Sequence, residues 1–319
     1  MPSDTETRAS IKEALNGLAT APILSASRKV FEALGYRSER RPSLPDSKPS
    51  TFLQNFNGQQ SFNTERGMFE SWKSADFLCQ VTDEEIQLAR KNQPELLTDE
   101  KIEKGNARSF AFLSISLKEN AYTRTQYSGI TREINRMFSM PAICLFKNNG
   151  TATLSVIDRR QHKKESAKDV LEKVTLIKDI DYKNPHRGHL EILSDLALPN
   201  LAEKYPPLEN FDHLLRAWRE TLDISTLNKR FYRELSNWYF WALPQVRFPT
   251  DLESDDEKLR ATSLIRLLTR LIFCWFLKEK DLIPDKLFRS RDLENILKGF
   301  DPESETSSTY YLAILHILS

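Results

Sequence analysis

Glycine is scarce in this chain, nine residues in 319, and no G-x-x-x-x-G-K stretch occurs. A phosphate-cradling loop of that type is excluded, because it needs glycines where the backbone closes on phosphate oxygens. Cysteine is equally thin. Cys79, Cys144 and Cys274 are far apart, each within an apolar run, and no C-x2-C pair occurs. Zinc-ligand spacing is therefore absent, and buried, reduced thiols in a cytoplasmic protein are expected. A long apolar run is also missing. The most apolar stretch, 264–277, carries Arg266 and Arg270 and is too short to cross a bilayer. The first ten residues, MPSDTETRAS, hold no apolar signal core. Charge of one sign is lacking as well: 46 Lys and Arg face 45 Asp and Glu, a net +1. Whole-chain charge thus offers nothing to nucleic acid, and any DNA-binding face must come from local clustering. His186 and His189 stand three apart, but no Cys or second His pair completes a metal site, so capping or packing is the expectation for His186. No Ser-His-Asp constellation stands out.

What is present is a succession of short elements. Residues 9–19 and 25–34 read as helices, the second with Ser25 at its start and Gly35 at its stop. Residues 41–50, with three prolines, read as a loop. A strand at 77–81 runs into a helix capped by Thr82 or Asp83, whose acidic first turn suits the positive helix end. Residues 109–118 alternate as a strand, 125–138 as a helix, and 142–146 and 151–157 as a hairpin about Asn148, Asn149 and Gly150. Residues 169–174 read as a short helix, 175–180 as β-leaning, and 185–198 as helical. Pro199–Leu208 reads as a linker. Beyond it the pattern is helical only, over 211–222, 226–243, 257–280, 292–298 and 309–318. The expected fold is an α/β N-terminal domain over 1–200, a mixed sheet flanked by helices, followed by an all-helical segment over 208–319. The aromatic stretch 231–241 is expected to bury itself against 259–277 rather than stack on bases.

Three sets of residues carry candidate chemistry. Ser116-Leu117-Lys118 closes a strand and Glu133 follows one helix later. A carboxylate that holds Mg²⁺ beside a lysine that stabilises charge is what metal-dependent phosphodiester cleavage needs. Asp76 and Asp99 are the candidates for the first acid, with Glu133 and Asp76 as the metal ligands. The second set is basic: Arg124, Arg132, Arg136, Arg159, Arg160, Lys163 and Lys164, a phosphate-binding face if the helix and the hairpin lie side by side. The opposing reading makes Lys118 a solvated strand-end lysine and pairs Glu133 with Arg132 or Arg136. The third set is the aromatic helix, whose neighbours Arg230, Arg233, Arg266 and Arg270 carry further positive charge.

The Ser-x-Lys and displaced Glu resemble a variant of the PD-(D/E)xK nuclease superfamily in which the second acid has moved onto the following helix. That resemblance covers about residues 70–157 and implies a restriction-endonuclease-like domain that uses Mg²⁺. A broader resemblance lies in PAICLFKNNGTATLSVIDRR, DVLEKVTLIKDI, PHRGHLEIL, LNKRFYRELSNWYFWA and LIFCWFLKEKDLIP. These are similar to the N-terminal portion of type IIG restriction-modification enzymes with an Eco57I-like adenine methylase module. The resemblance implies action on double-stranded DNA in defence against foreign DNA. It also implies a helical connector leading to a methyltransferase. The family's F-x-G-x-G loop for S-adenosylmethionine and its N-P-P-[YF] motif are absent, and Asn184-Pro185-His186 is not the latter. No S-adenosylmethionine site and no methylation are expected of the chain alone. A separate or missing methyltransferase or specificity half is implied as partner. The alternative function is a non-catalytic DNA-binding or partner-positioning module, or a truncated inactive remnant.

Overall fold

The computed structural model describes residues 4–42, 44–58, 61–91, 102–161, 169–248, 257–280, 282–288, 290–301, 309–310 and 312–313. Contacts divide the chain into two compact units, Met1–Leu227 and Asn228–Ser319. The first is an α/β unit around a five-stranded mixed sheet in the order β1-β2-β3-β4-β5. Its strands are β1 (Trp72–Val81), β2 (Phe110–Leu117), β3 (Ala142–Lys147), β4 (Thr151–Gln161) and β5 (Asp169–Asp181). Only β2 and β3 run parallel; the other neighbours are antiparallel. A parallel pair needs a crossover, and helix α5 (Arg124–Arg136) supplies it.

Two cores sandwich the sheet, and strand alternation assigns each side chain to one of them. Ala111, Leu113, Ile115 and Leu117 of β2 join Ala142, Cys144 and Phe146 of β3 in the core under α5 and α3 (Pro49–Phe56). Phe110 and Phe112, with Ile143 and Leu145, face the other core. That side is covered by α1 (Asp4–Gly17), α2 (Ile23–Ala33), α4 (Asp83–Lys91), α6 (Arg187–Asp195), α7 (Leu198–Lys204) and α8 (Phe211–Thr221). Helix α2 stops where a left-handed residue is needed: Gly35 has φ +87°. The Gly35 N–H donates to the Glu32 carbonyl and the Tyr36 N–H to that of Phe31, the double bond of a Schellman ending. Helix α5 begins with a reciprocal box in which Thr123 accepts from the Gln126 N–H and Gln126 from that of Thr123.

Two sequence expectations change here. Residues 169–174 are not a helix. They open β5, where Leu171 and Val170 pair with Arg159 and Arg160 of β4, so cross-strand pairing overrides a local pattern too short to specify its own period. Pro199–Leu208 is not a linker. Pro199 sits in the first turn of α7, where its missing N–H costs nothing, and Leu201 and Leu208 are buried. Helix α8 belongs with the sheet as well. Phe211, Leu214, Ala217 and Trp218 enter the core, and the Trp218 indole donates to the Tyr36 hydroxyl at 2.7 Å, which donates on to the Leu196 carbonyl at 2.7 Å. The division between units accordingly falls beyond α8, at Leu227, rather than between 200 and 208.

The second unit is helical: the rest of α9 (Ile224–Ala242), then α10 (Glu257–Glu279) and α11 (Ser290–Ile296). The aromatic stretch expected to be buried is not: Phe231, Tyr232, Trp238, Phe240 and Trp241 are exposed. No helix among the described residues is long and apolar enough to cross a membrane. Cys79, Cys144 and Cys274 are buried and free, and burial holds the Cys144 thiol well above its ordinary value.

Candidate functional site

The residues expected to hold Mg²⁺ are distributed by the sheet rather than gathered. Lys118 lies just past the end of β2. Its N–H donates to the Ser71 carbonyl at 2.9 Å and its ammonium to the Glu70 carbonyl at 2.6 Å, which ties it to the turn that precedes β1. Glu133 is 3% exposed on α5. Its carboxylate accepts from the Arg136 guanidinium at 2.8 and 3.1 Å and from the Asn63 N–H at 3.2 Å. Asp76 stands between Ala75 and Phe77, both in the core under α5, so period two turns its carboxyl to the opposite face. Ser116, between Ile115 and Leu117, is turned the same way. Asp99 lies outside the described residues. Among the described residues, no three His, Cys, Asp or Glu side chains gather into a group fit to hold a metal. Asp76 and Glu133 sit on opposite sides of the sheet, and Glu133 already neutralises an arginine. The two acids therefore do not form one Mg²⁺ donor set.

What the sheet does gather around Asp76 is polar and incompletely bonded. Asp76 pairs across strands with Ser114, and its Oδ1 accepts from the Ser47 hydroxyl at 2.5 Å. Among the described residues, its Oδ2 is buried with no hydrogen-bond partner, as are Ser114 Oγ, Ser27 Oγ and Arg28 Nε. Burial pushes the Asp76 carboxyl above its usual range, opposed by the Ser47 hydrogen bond and by the attraction of Arg28. Buried polar atoms are nearly always satisfied, so the orphans on Asp76, its cross-strand partner Ser114 and the coupled Arg28 are a local anomaly. The signal for this cluster was in FAFLSISL, where Ser114 and Ser116 share a face at a spacing of two. The triplet Ser116-x-Lys118 drew attention to the wrong pair, because Lys118 is no longer in the strand.

The expected basic face is present in part. Arg124 and Arg132 are exposed on α5, and neither has an ion pair among the described residues. Arg136 is taken by Glu133. Arg159 and Arg160 lie in β4, but their side chains are outside the described set, and Lys163 and Lys164 lie outside the described residues altogether. His186 caps α6, its Nδ1 accepting from the Gly188 N–H at 3.1 Å. Burial holds His189 below its ordinary value, with the neighbouring His186 adding to the effect. His186 thus caps, as expected. No protein-family model, curated protein or solved structure matches this chain.

Proposed function

We propose that this chain is a non-catalytic, DNA-contacting and partner-positioning module of a restriction-modification system, and that Lys118 and Glu133 do not form a cleavage centre. The restriction-endonuclease-like character read from the sequence belongs on this view to the architecture, a mixed sheet with a crossover helix, and not to the chemistry. One observation carries the reading. The outer face of α5 presents Arg124 and Arg132 to solvent without carboxylate partners among the described residues, while the one buried acid of that helix, Glu133, is spent on Arg136. Unpaired exposed arginines on a helix are what phosphate oxygens attract, and each phosphate contact adds about one unit to the salt dependence of binding. The methyltransferase or specificity half implied by the resemblance is the partner that such a module would hold on the duplex.

The test is the affinity for a short duplex as salt is varied. Arg124→Glu with Arg132→Glu should weaken binding and flatten the log–log salt slope by about 2. An unchanged slope removes the DNA-contacting role of α5. In parallel, Mg²⁺-dependent plasmid nicking should be indifferent to Lys118→Ala; nicking that disappears with this substitution would restore the catalytic reading.

A further inference from the structure

The open end of the Asp76 face carries a second arrangement. Register places Ser74 opposite Ser116, and Ser116 beside Lys147 of β3. Lys147 follows Phe146, whose ring is in the core under α5, so its ammonium shares the face of the two serines. The strand pair is irregular between Trp72 and Ser74, and the extra residue of that bulge is Lys73. Bulges of this kind re-aim side chains at the margin of a sheet. Ser74, Ser116 and Lys147 are half-buried and Lys73 is exposed, so the row opens to solvent. Among the described residues neither lysine has a carboxylate partner. Burial holds the Lys147 ammonium below its ordinary value, and the nearby Lys73 cation lowers it further. Two like charges kept together without a counterion leave the position short of negative charge.

Helix α2 packs on the same side of the sheet. Phe31 packs on Phe112 with ring centroids 4.7 Å apart, and one turn earlier Arg28 is electrostatically coupled to Asp76, which pairs with Ser114. One row deeper, the fully buried Ser114 hydroxyl has no partner.

We propose that Lys147 and Lys73, with the hydroxyls of Ser116 and Ser74, form a site for a phosphate oxyanion. The donors match that ligand: two ammonium groups as point charges and two hydroxyls. Identifying the oxyanion as a phosphate of the DNA backbone rests on the DNA-contacting reading above; the oxyanion site itself does not.

The experiment uses the full chain with lysines labelled at the side-chain carbon and nitrogen, and follows the Lys147 signal by NMR, assigned by its loss in Lys147→Met. Inorganic phosphate at constant ionic strength should shift that signal saturably and raise the pH at which it titrates, while chloride does neither. Lys147→Met should weaken phosphate binding about tenfold or more, measured by calorimetry. Ser116→Ala, a small change at a half-buried position, should weaken it severalfold without altering thermal unfolding. No saturable shift with phosphate overturns the site, as does unchanged affinity in both variants. A short duplex should move the same signal. If phosphate moves it and the duplex does not, the backbone assignment is overturned and the site takes free phosphate. The Arg124→Glu and Arg132→Glu result reports separately on α5.

Discussion

Replacing Arg40 tests how much of the first unit is held by one buried cation. Its side chain is 4% exposed and meets Glu85 at 2.9 Å, Glu84 at 2.7 Å and Glu103 at 3.0 Å. Glu84 and Glu103 are 71% and 47% exposed, and solvent screens them, so each contributes at most about 1 kcal/mol. Glu85, 2% exposed, decides the magnitude. Removing one partner of a buried pair costs about 3–5 kcal/mol because the other charge is stranded. Glu85 keeps three donors after the loss, the Thr82 N–H at 2.8 Å, the Thr82 hydroxyl, and the Ser38 hydroxyl at 3.2 Å. Arg40→Met should therefore cost toward the lower end, about 3 kcal/mol, which in a unit of this size lowers Tm by roughly 6–12 °C. Urea unfolding followed by far-UV circular dichroism gives the number. The double variant Arg40→Met/Glu85→Gln removes the stranded charge and should recover part of the loss. A single-variant loss under about 1 kcal/mol, or a double variant worse than the sum of its parts, refutes the reasoning.

Four further outcomes follow from other positions. Gly35→Ala should cost about 1–2 kcal/mol in urea unfolding, since φ is +87° and an added Cβ meets Pro199 and Leu198 at 3.1 and 3.2 Å. Asp76→Asn should grow more stable relative to the parent as pH rises above about 4, because the parent's raised carboxyl favours folding while protonated and loses that advantage on ionising; parallel unfolding curves at pH 4 and 7 measure it, and a constant difference refutes it. Asn135→Ala should cost about 2–4 kcal/mol, because its amide accepts from the Ala142 N–H at 2.8 Å and donates to the Ala142 carbonyl at 3.2 Å, both buried. Lys118→Ala should change thermal stability by less than about 1 kcal/mol, the scale of a single exposed bond to the Glu70 carbonyl.

Where an element carries its own punctuation, the chain could be read directly. Gly35 ends α2, the Thr123–Gln126 box starts α5, and Asn148-Asn149-Gly150 turns β3 into β4. Residues 169–174 could not be read this way. Val170, Leu171 and Val174 fit either period, and the choice is made by β4, which no local window contains. Pro199 misled for a related reason. A proline breaks a helix in its interior but is favoured in its first turn, and only the packing of Leu198 and Leu201 reveals which applies. Helix α8 is amphipathic in any setting, but its assignment to the sheet depends on Trp218 reaching Tyr36 and Phe110.

The candidate site was harder to read because its chemistry depends on parity and on sidedness, and sequence supplies only the first. Alternation in FAFLSISL puts Ser114 and Ser116 on one face, and the same rule puts Asp76 with them once Ala75 and Phe77 are known to be core. That much follows from counting. No count places Glu133 on the other side of the sheet, because a crossover helix packs on one face or the other with the same sequence spacing. The structure puts α5 against Ala142, Cys144 and Phe146, and from that single choice the Glu133 carboxylate and the Asp76 carboxyl are separated by the full thickness of the sheet. The groups that do converge, Lys147 and Lys73 beside Ser116 and Ser74, come from three strands whose neighbour relations include one bulge and one parallel pairing. A one-residue slip in either would disperse them, so their association is a property of register rather than of any motif.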